Sequence, residues 1–94
     1  MPRPSSVVAN ENTDSAYYTQ AEAQRLIGRV FENQIEFARV PKGTRGTVVE
    51  IDRMGDGWDV VVEWDLPIRM PSGQGLRDWF TREEMDRFMR QAQG

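Results

Sequence analysis

The segment GDGWDVVVEW, residues 55–64, limits the possible folds more than any other part of the chain. Trp58, Val60, Val62 and Trp64 alternate with Asp59, Val61 and Glu63, so the apolar set falls on one face of an extended strand. A helix would scatter the same residues around its circumference. Just upstream, TVVEID is short and β-branched, and RMGDG separates the two runs. The Asp56-Gly57 pair supplies the φ > 0 positions of a hairpin turn. The centre of the chain therefore reads as two antiparallel strands with one apolar face, which needs further strands or helices to cover it.

The flanking segments provide that cover. RVFENQIEFARV alternates, with Phe31, Ile35 and Phe37 on one side and Glu32, Gln34 and Glu36 on the other. LRDWF, at 76–80, reads as a last short strand or a corner leading into a helix. Two helix starts are marked by capping boxes, Thr19 with Glu22 and Thr81 with Glu84, in which each side chain satisfies an orphan backbone donor of its partner. In the first helix Ala23, Leu26, Ile27 and Val30 form an apolar stripe that stops near Gly28. In the second, Phe80 and Met85 make a hydrophobic staple, and Met85, Phe88, Met89 and Ala92 form the buried stripe. The expected fold is mainly β (α+β). It is a small barrel of about five antiparallel strands, with a short N-terminal helix and a C-terminal amphipathic helix.

Composition narrows the chemistry. With 94 residues the chain makes one domain, and a domain this small has little depth for a catalytic cleft. It contains neither cysteine nor histidine. Disulfides, thiol catalysis, cysteine metal sites and histidine-based nucleophile pairs are excluded, and an enzyme would have to run on carboxylates, tyrosine or the single lysine, Lys42. The net charge of −3 argues against sequence-independent nucleic-acid binding. No apolar run approaches the roughly 18 residues of a membrane span, and MPRPSSVVANENTDS lacks the apolar core of a secretory signal. The expectation is a cytoplasmic, non-enzymatic protein with no cofactor and no metal. Residues 1–18 read as a disordered or weakly ordered arm ahead of one domain at 19–94. The alternative for the arm is a recognition tail using Val7, Val8, Tyr17 and Tyr18.

Three patterns suggest sites. Asp52, Asp56, Gly57 and Glu63 nearly match a calcium loop. However, Met54 offers a thioether where a hard oxygen is needed, and the flanks read as strands. Glu63 and Asp65 share a strand face at about 7 Å, a spacing too common to indicate acid–base chemistry. The third pattern is the loop 65–78, long for a compact domain, stiffened by Pro67 and Pro71 and loosened by Gly73 and Gly75. Leu66, Ile68, Arg69, Met70 and Arg77, with Trp64 and Trp79 at its ends, are the expected binding surface for another protein.

The turn KGTRGTVVEI, with Gly43, Gly46, Val48 and Ile51 at fixed offsets, resembles the KOW motif and related turns of SH3-like small barrels. The resemblance covers Gly43 to Trp64 and implies fold rather than activity. Many KOW proteins bind RNA or ribosome-associated factors, which here would fall to Arg39, Lys42 and Arg45 as an alternative, nucleic-acid surface. The longer pattern VPKGTRGTVV…GDGWDVVVEWDLP…DWFTREEM is similar to small uncharacterised bacterial proteins. It is loosely similar to small accessory proteins of electron-transfer complexes, such as the barrel-fold accessory chain of the photosystem reaction centre and the variable chain of ferredoxin–thioredoxin reductase. That likeness implies a docking role without a cofactor.

Overall fold

A computed structural model describes residues 16–37 and 39–92. In chain order the elements are α1 (Gln20–Leu26), β1 (Val30–Asn33), β2 (Arg45–Met54), β3 (Gly57–Trp64), β4 (Arg77–Phe80), α2 (Arg82–Phe88) and β5 (Met89–Gln91). The five strands form one antiparallel sheet in the order β4-β3-β2-β1-β5. The fold is therefore mainly β, with two helices.

The sheet is curled rather than flat. Laid flat, its two edge strands would lie about 19 Å apart, four strand spacings. Helix α2 joins the end of β4 directly to the start of β5, and seven helical residues rise only about 10 Å. The bend has a visible source in β2. Pairing with β3 runs from Gly46↔Trp64 to Val48↔Val62 and resumes at Glu50↔Val61, leaving Val49 as an extra residue in a β-bulge. Such a residue bends its strand and increases the local twist.

The core lies inside the curl. Val48, Val60, Val62 and Trp64 are buried with Phe31, Val40, Leu76, Phe80, Met85, Met89 and Ala23. Phe37 closes one end, with its ring 5.7 to 6.2 Å from those of Phe80, Trp64 and Phe88. Gly46 is confined by this packing. A Cβ there would overlap Val62 and lie 2.9 Å from Trp64 Cε3, so β2 can cross the tryptophan only because the residue has no side chain. Gly43 serves a different need, since its φ of 89° is left-handed.

Four expectations change. β1 stops at Asn33, so Ile35 is exposed and Phe37 reaches the core from an irregular segment, where it bridges Val40. The hairpin turn is one residue earlier than Asp56-Gly57. Gly55 carries the positive φ, as the first central position of a II′-type turn requires, whereas Gly57 lies in β3 with Tyr17 against it. The second helix ends at Phe88. Met89 is buried from strand β5, through pairs with Asn33 and neighbouring residues of β1, rather than from a helix stripe. Val30 likewise belongs to β1 and not to the first helix. Both capping boxes form as the spacing predicts.

Of the expected arm, residues 1–15 lie outside the described residues, as do Val7 and Val8 of the recognition-tail alternative. Residues 16–18 are attached to the domain. Tyr18 and Trp58 exchange backbone hydrogen bonds of 3.0 and 3.3 Å, and the Glu83 amide donates to the Ala16 carbonyl at 3.1 Å.

Candidate functional site

The outer face of β3 carries Asp59, Val61 and Glu63, and the alternation suggests a face open to water. It is covered. Val61 is fully buried and Asp59 is only 5% exposed. The reason lies in the register. Val61 faces Trp79 on β4 and Glu50 on β2. The Trp79 indole Nε1 donates to Asp52 Oδ2 at 3.1 Å, and Asp52 is on β2, two strands away. To reach it the indole must lie across β3, over Val61. Trp79 therefore acts as an outer lid while remaining 49% exposed on its other side.

Arg77, two residues before it, fixes the next row. Its Nε donates to Glu63 Oε1 at 2.9 Å, and Nη1 lies 3.8 Å from Glu50 Oε2. With its oxygen turned toward the guanidinium, the Gln74 amide accepts from Arg77 at 2.6 to 3.0 Å. This arginine is spent on holding the sheet and the loop together. Glu63 is consequently an ion-pair partner, and Asp65 beside it is exposed.

The expected loop 65–78 ends two residues earlier, since Arg77 and Asp78 belong to β4, and the connection 65–76 is a folded hairpin. Trp64 N–H donates to Leu76 C=O at 2.8 Å, Arg69 bridges Gly75, and Met70 N–H donates to Gln74 C=O at 2.7 Å. Its tip is the turn Met70-Pro71-Ser72-Gly73. Proline presets the second position, Gly73 takes φ 90°, and the Gly73 amide closes on the Met70 carbonyl at 2.8 Å. The proline and glycine residues that suggest a stiff half and a loose half instead build one tight turn.

The expected surface residues divide accordingly. Met70 and Trp79, 47% and 49% exposed, line a groove of about 330 Å³ with Glu50, Gln74, Leu76 and Arg77. Ile68 is exposed on the same hairpin, and Leu66 packs partly against the core. Arg69 lines a different groove, with Arg45, Thr47 and Asp65. Trp64 is a core residue, 1% exposed, whose Nε1 donates to Asp78 Oδ2 at 2.7 Å. Trp58 is half-buried, with the Arg53 guanidinium 6.0 Å from its ring. Of the alternative nucleic-acid residues, Arg39, Lys42 and Arg45 are all exposed, but Arg39 and Arg45 line separate grooves.

Asp59 is a feature that alternation conceals. Its Oδ1 is buried without a hydrogen-bond partner. Burial raises its pKa above the ordinary 3.8, and the nearby Glu84 and Asp52 carboxylates push it the same way. The native state thus holds this proton more tightly than the unfolded chain. Below the unfolded value the group costs nothing. The cost grows as pH rises from the unfolded to the folded value, and above that an ionised, buried carboxylate destabilises the fold by a constant amount. Asp59→Asn is expected to raise the melting temperature by a few degrees at pH 7 and to leave it unchanged at pH 3. Thermal melts of both proteins across that range check it, and a gain of equal size at both ends would contradict this assignment. Among the described residues, no group of three or more acidic, histidine or cysteine side chains could hold a metal ion, and no helix is long and apolar enough to cross a membrane. Compared with protein-family models, with curated proteins and with solved structures, the chain gives no match.

Proposed function

We propose that the protein is a non-enzymatic interaction module, acting in the manner of an accessory subunit and built on an SH3-like small barrel. The strand order, the bulge in β2 and the helix bridging the two sheet edges support the barrel reading. The observation that carries the function is the groove between Trp79 and Met70. It places two half-exposed apolar side chains on a rigid sheet and a tightly turned hairpin, with Glu50 and Gln74 as polar contacts at its walls. Aromatic and methionine residues are enriched at protein interfaces, and the Trp79 indole is held in place by its hydrogen bond to Asp52. The occupant is an apolar segment of another protein.

Met70→Asp tests the reading without touching the core. Met70 is exposed, so the substitution is expected to change stability by no more than about 0.5 kcal/mol. Tagged native protein recovered from its own cells should carry a partner that the Met70→Asp protein loses. Identical protein profiles from the two would refute the groove as the docking surface.

A further inference from the structure

We propose that a second site, the cleft between α1 and α2, binds a carboxylate carried on an apolar body. This proposal stands apart from the Trp79 groove and does not depend on it. The cleft measures about 520 Å³. Its floor is apolar, formed by Leu26, Phe31, Met85 and Met89, and its rim carries Arg25, Arg29 and Arg82 against Glu22 and Asp86. In a chain of net charge −3, this local excess of cations is the reverse of the whole-protein balance.

The two carboxylates are already engaged. Glu22 Oε1 accepts from the Thr19 amide at 2.9 Å as part of the capping box, and Asp86 lies 4.0 Å from Arg82. Arg25 and Arg29 form no ion pair among the described residues. Arg29 Nε donates to the Arg25 carbonyl at 3.1 Å, which ties the side chain to the end of α1, and Arg29 lines the cleft. Tyr18 adds a donor. Burial, with a further push from the Asp86 charge, raises its pKa to about 12, so its hydroxyl keeps its proton at neutral pH.

Guanidinium groups pair with carboxylates through parallel N–H bonds, and the apolar floor beneath them selects a ligand with a hydrocarbon body. A fatty acid and the C-terminal residue of a peptide both present that chemistry. An amine or an amide on the same body lacks the anion and should be rejected.

The test is an amide NMR titration of the full chain with octanoate, octylamine, N-acetyl-Leu-Leu and N-acetyl-Leu-Leu amide. Octanoate, the free-acid dipeptide or both should shift the amides of Leu26, Phe31, Met85 and Met89 saturably. The tighter of the two identifies the source as lipid-like or peptidic. Arg25→Gln/Arg29→Gln should bind the same acid about tenfold more weakly. Both arginines are exposed, so the remaining resonances should report an intact fold in the double variant. Equal affinity for octanoate and octylamine, equal affinity in the double variant, or no saturable shift at those four amides with either acid would each overturn the proposal.

Discussion

Trp64→Ala is expected to lower stability by about 3–5 kcal/mol, the range for removing a buried aromatic side chain. A chain of this length has only roughly 5–14 kcal/mol to lose at about 0.05–0.15 kcal/mol per residue. The size of the effect follows from position. Trp64 is 1% exposed, its ring stands edge-on to Phe80 at 6.1 Å, and Phe37 lies equally close on another side. Gly46 packs directly against it with no side chain of its own, so nothing on β2 fills the space that the indole leaves. The truncation would also leave Asp78 without its 2.7 Å partner, the indole N–H. Urea denaturation measures the loss. A cost below about 1 kcal/mol would mean that Trp64 is a surface residue after all, as its place at the mouth of the 65–78 loop suggests from sequence.

That contrast shows why part of the fold was legible. Period-two alternation identifies a strand and its apolar face, and Trp58 to Trp64 met that test. Capping boxes depend only on residues three apart, so Thr19 and Thr81 located both helix starts. Where a helix stops depends on what lies beyond it. Met89 continues the helical spacing of Met85, but it becomes a strand because β1 offers it an edge to pair with. No local signal marks such a three-residue strand.

The surface was less legible for a related reason. Alternation assigns Val61 and Asp59 to the outside, and they are on the outside of the sheet. The cover over Val61 comes from a residue on another strand, Trp79, placed there by register. Arg77 gave no sign that it would be tied to Glu63 and Gln74. Of the two arginines of the helix cleft, Arg25 is on α1 and Arg29 lies beyond its end, just before β1, and the apolar floor between them and α2 comes from elements up to Met89. A scattered arginine becomes a site residue only once the topology brings its neighbours together.

Asn33→Ala is expected to cost about 2–4 kcal/mol, more than the loss of a single ordinary hydrogen bond. Asn33 is fully buried and polar, and it sits where β1 ends. Its Oδ1 accepts from the Thr44 amide at 2.7 Å, and its Nδ2 donates to the Ile35 carbonyl at 2.8 Å and toward the Val40 carbonyl at 3.4 Å. Its own carbonyl accepts from the Gly43 amide, and its amide donates to the Thr44 carbonyl. One side chain therefore anchors both ends of the segment that carries Phe37 into the core. Alanine would remove the 2.7 Å acceptor of the Thr44 amide, leaving it only a longer 3.2 Å contact with the Pro41 carbonyl, and would take the amide donor from the Ile35 carbonyl. The measurements are urea denaturation and amide exchange, in which Thr44 should lose protection before the strands do. Asn33→Asp separates the two halves of the anchor. It keeps the acceptor for Thr44 but turns a carboxylate oxygen toward two carbonyls, so at neutral pH it should be less stable than Asn33→Ala. In acid, protonation restores a donor, and its stability should recover toward the native value while that of Asn33→Ala does not. Indistinguishable stability of the two variants across that range would show that the buried amide is not what holds the segment.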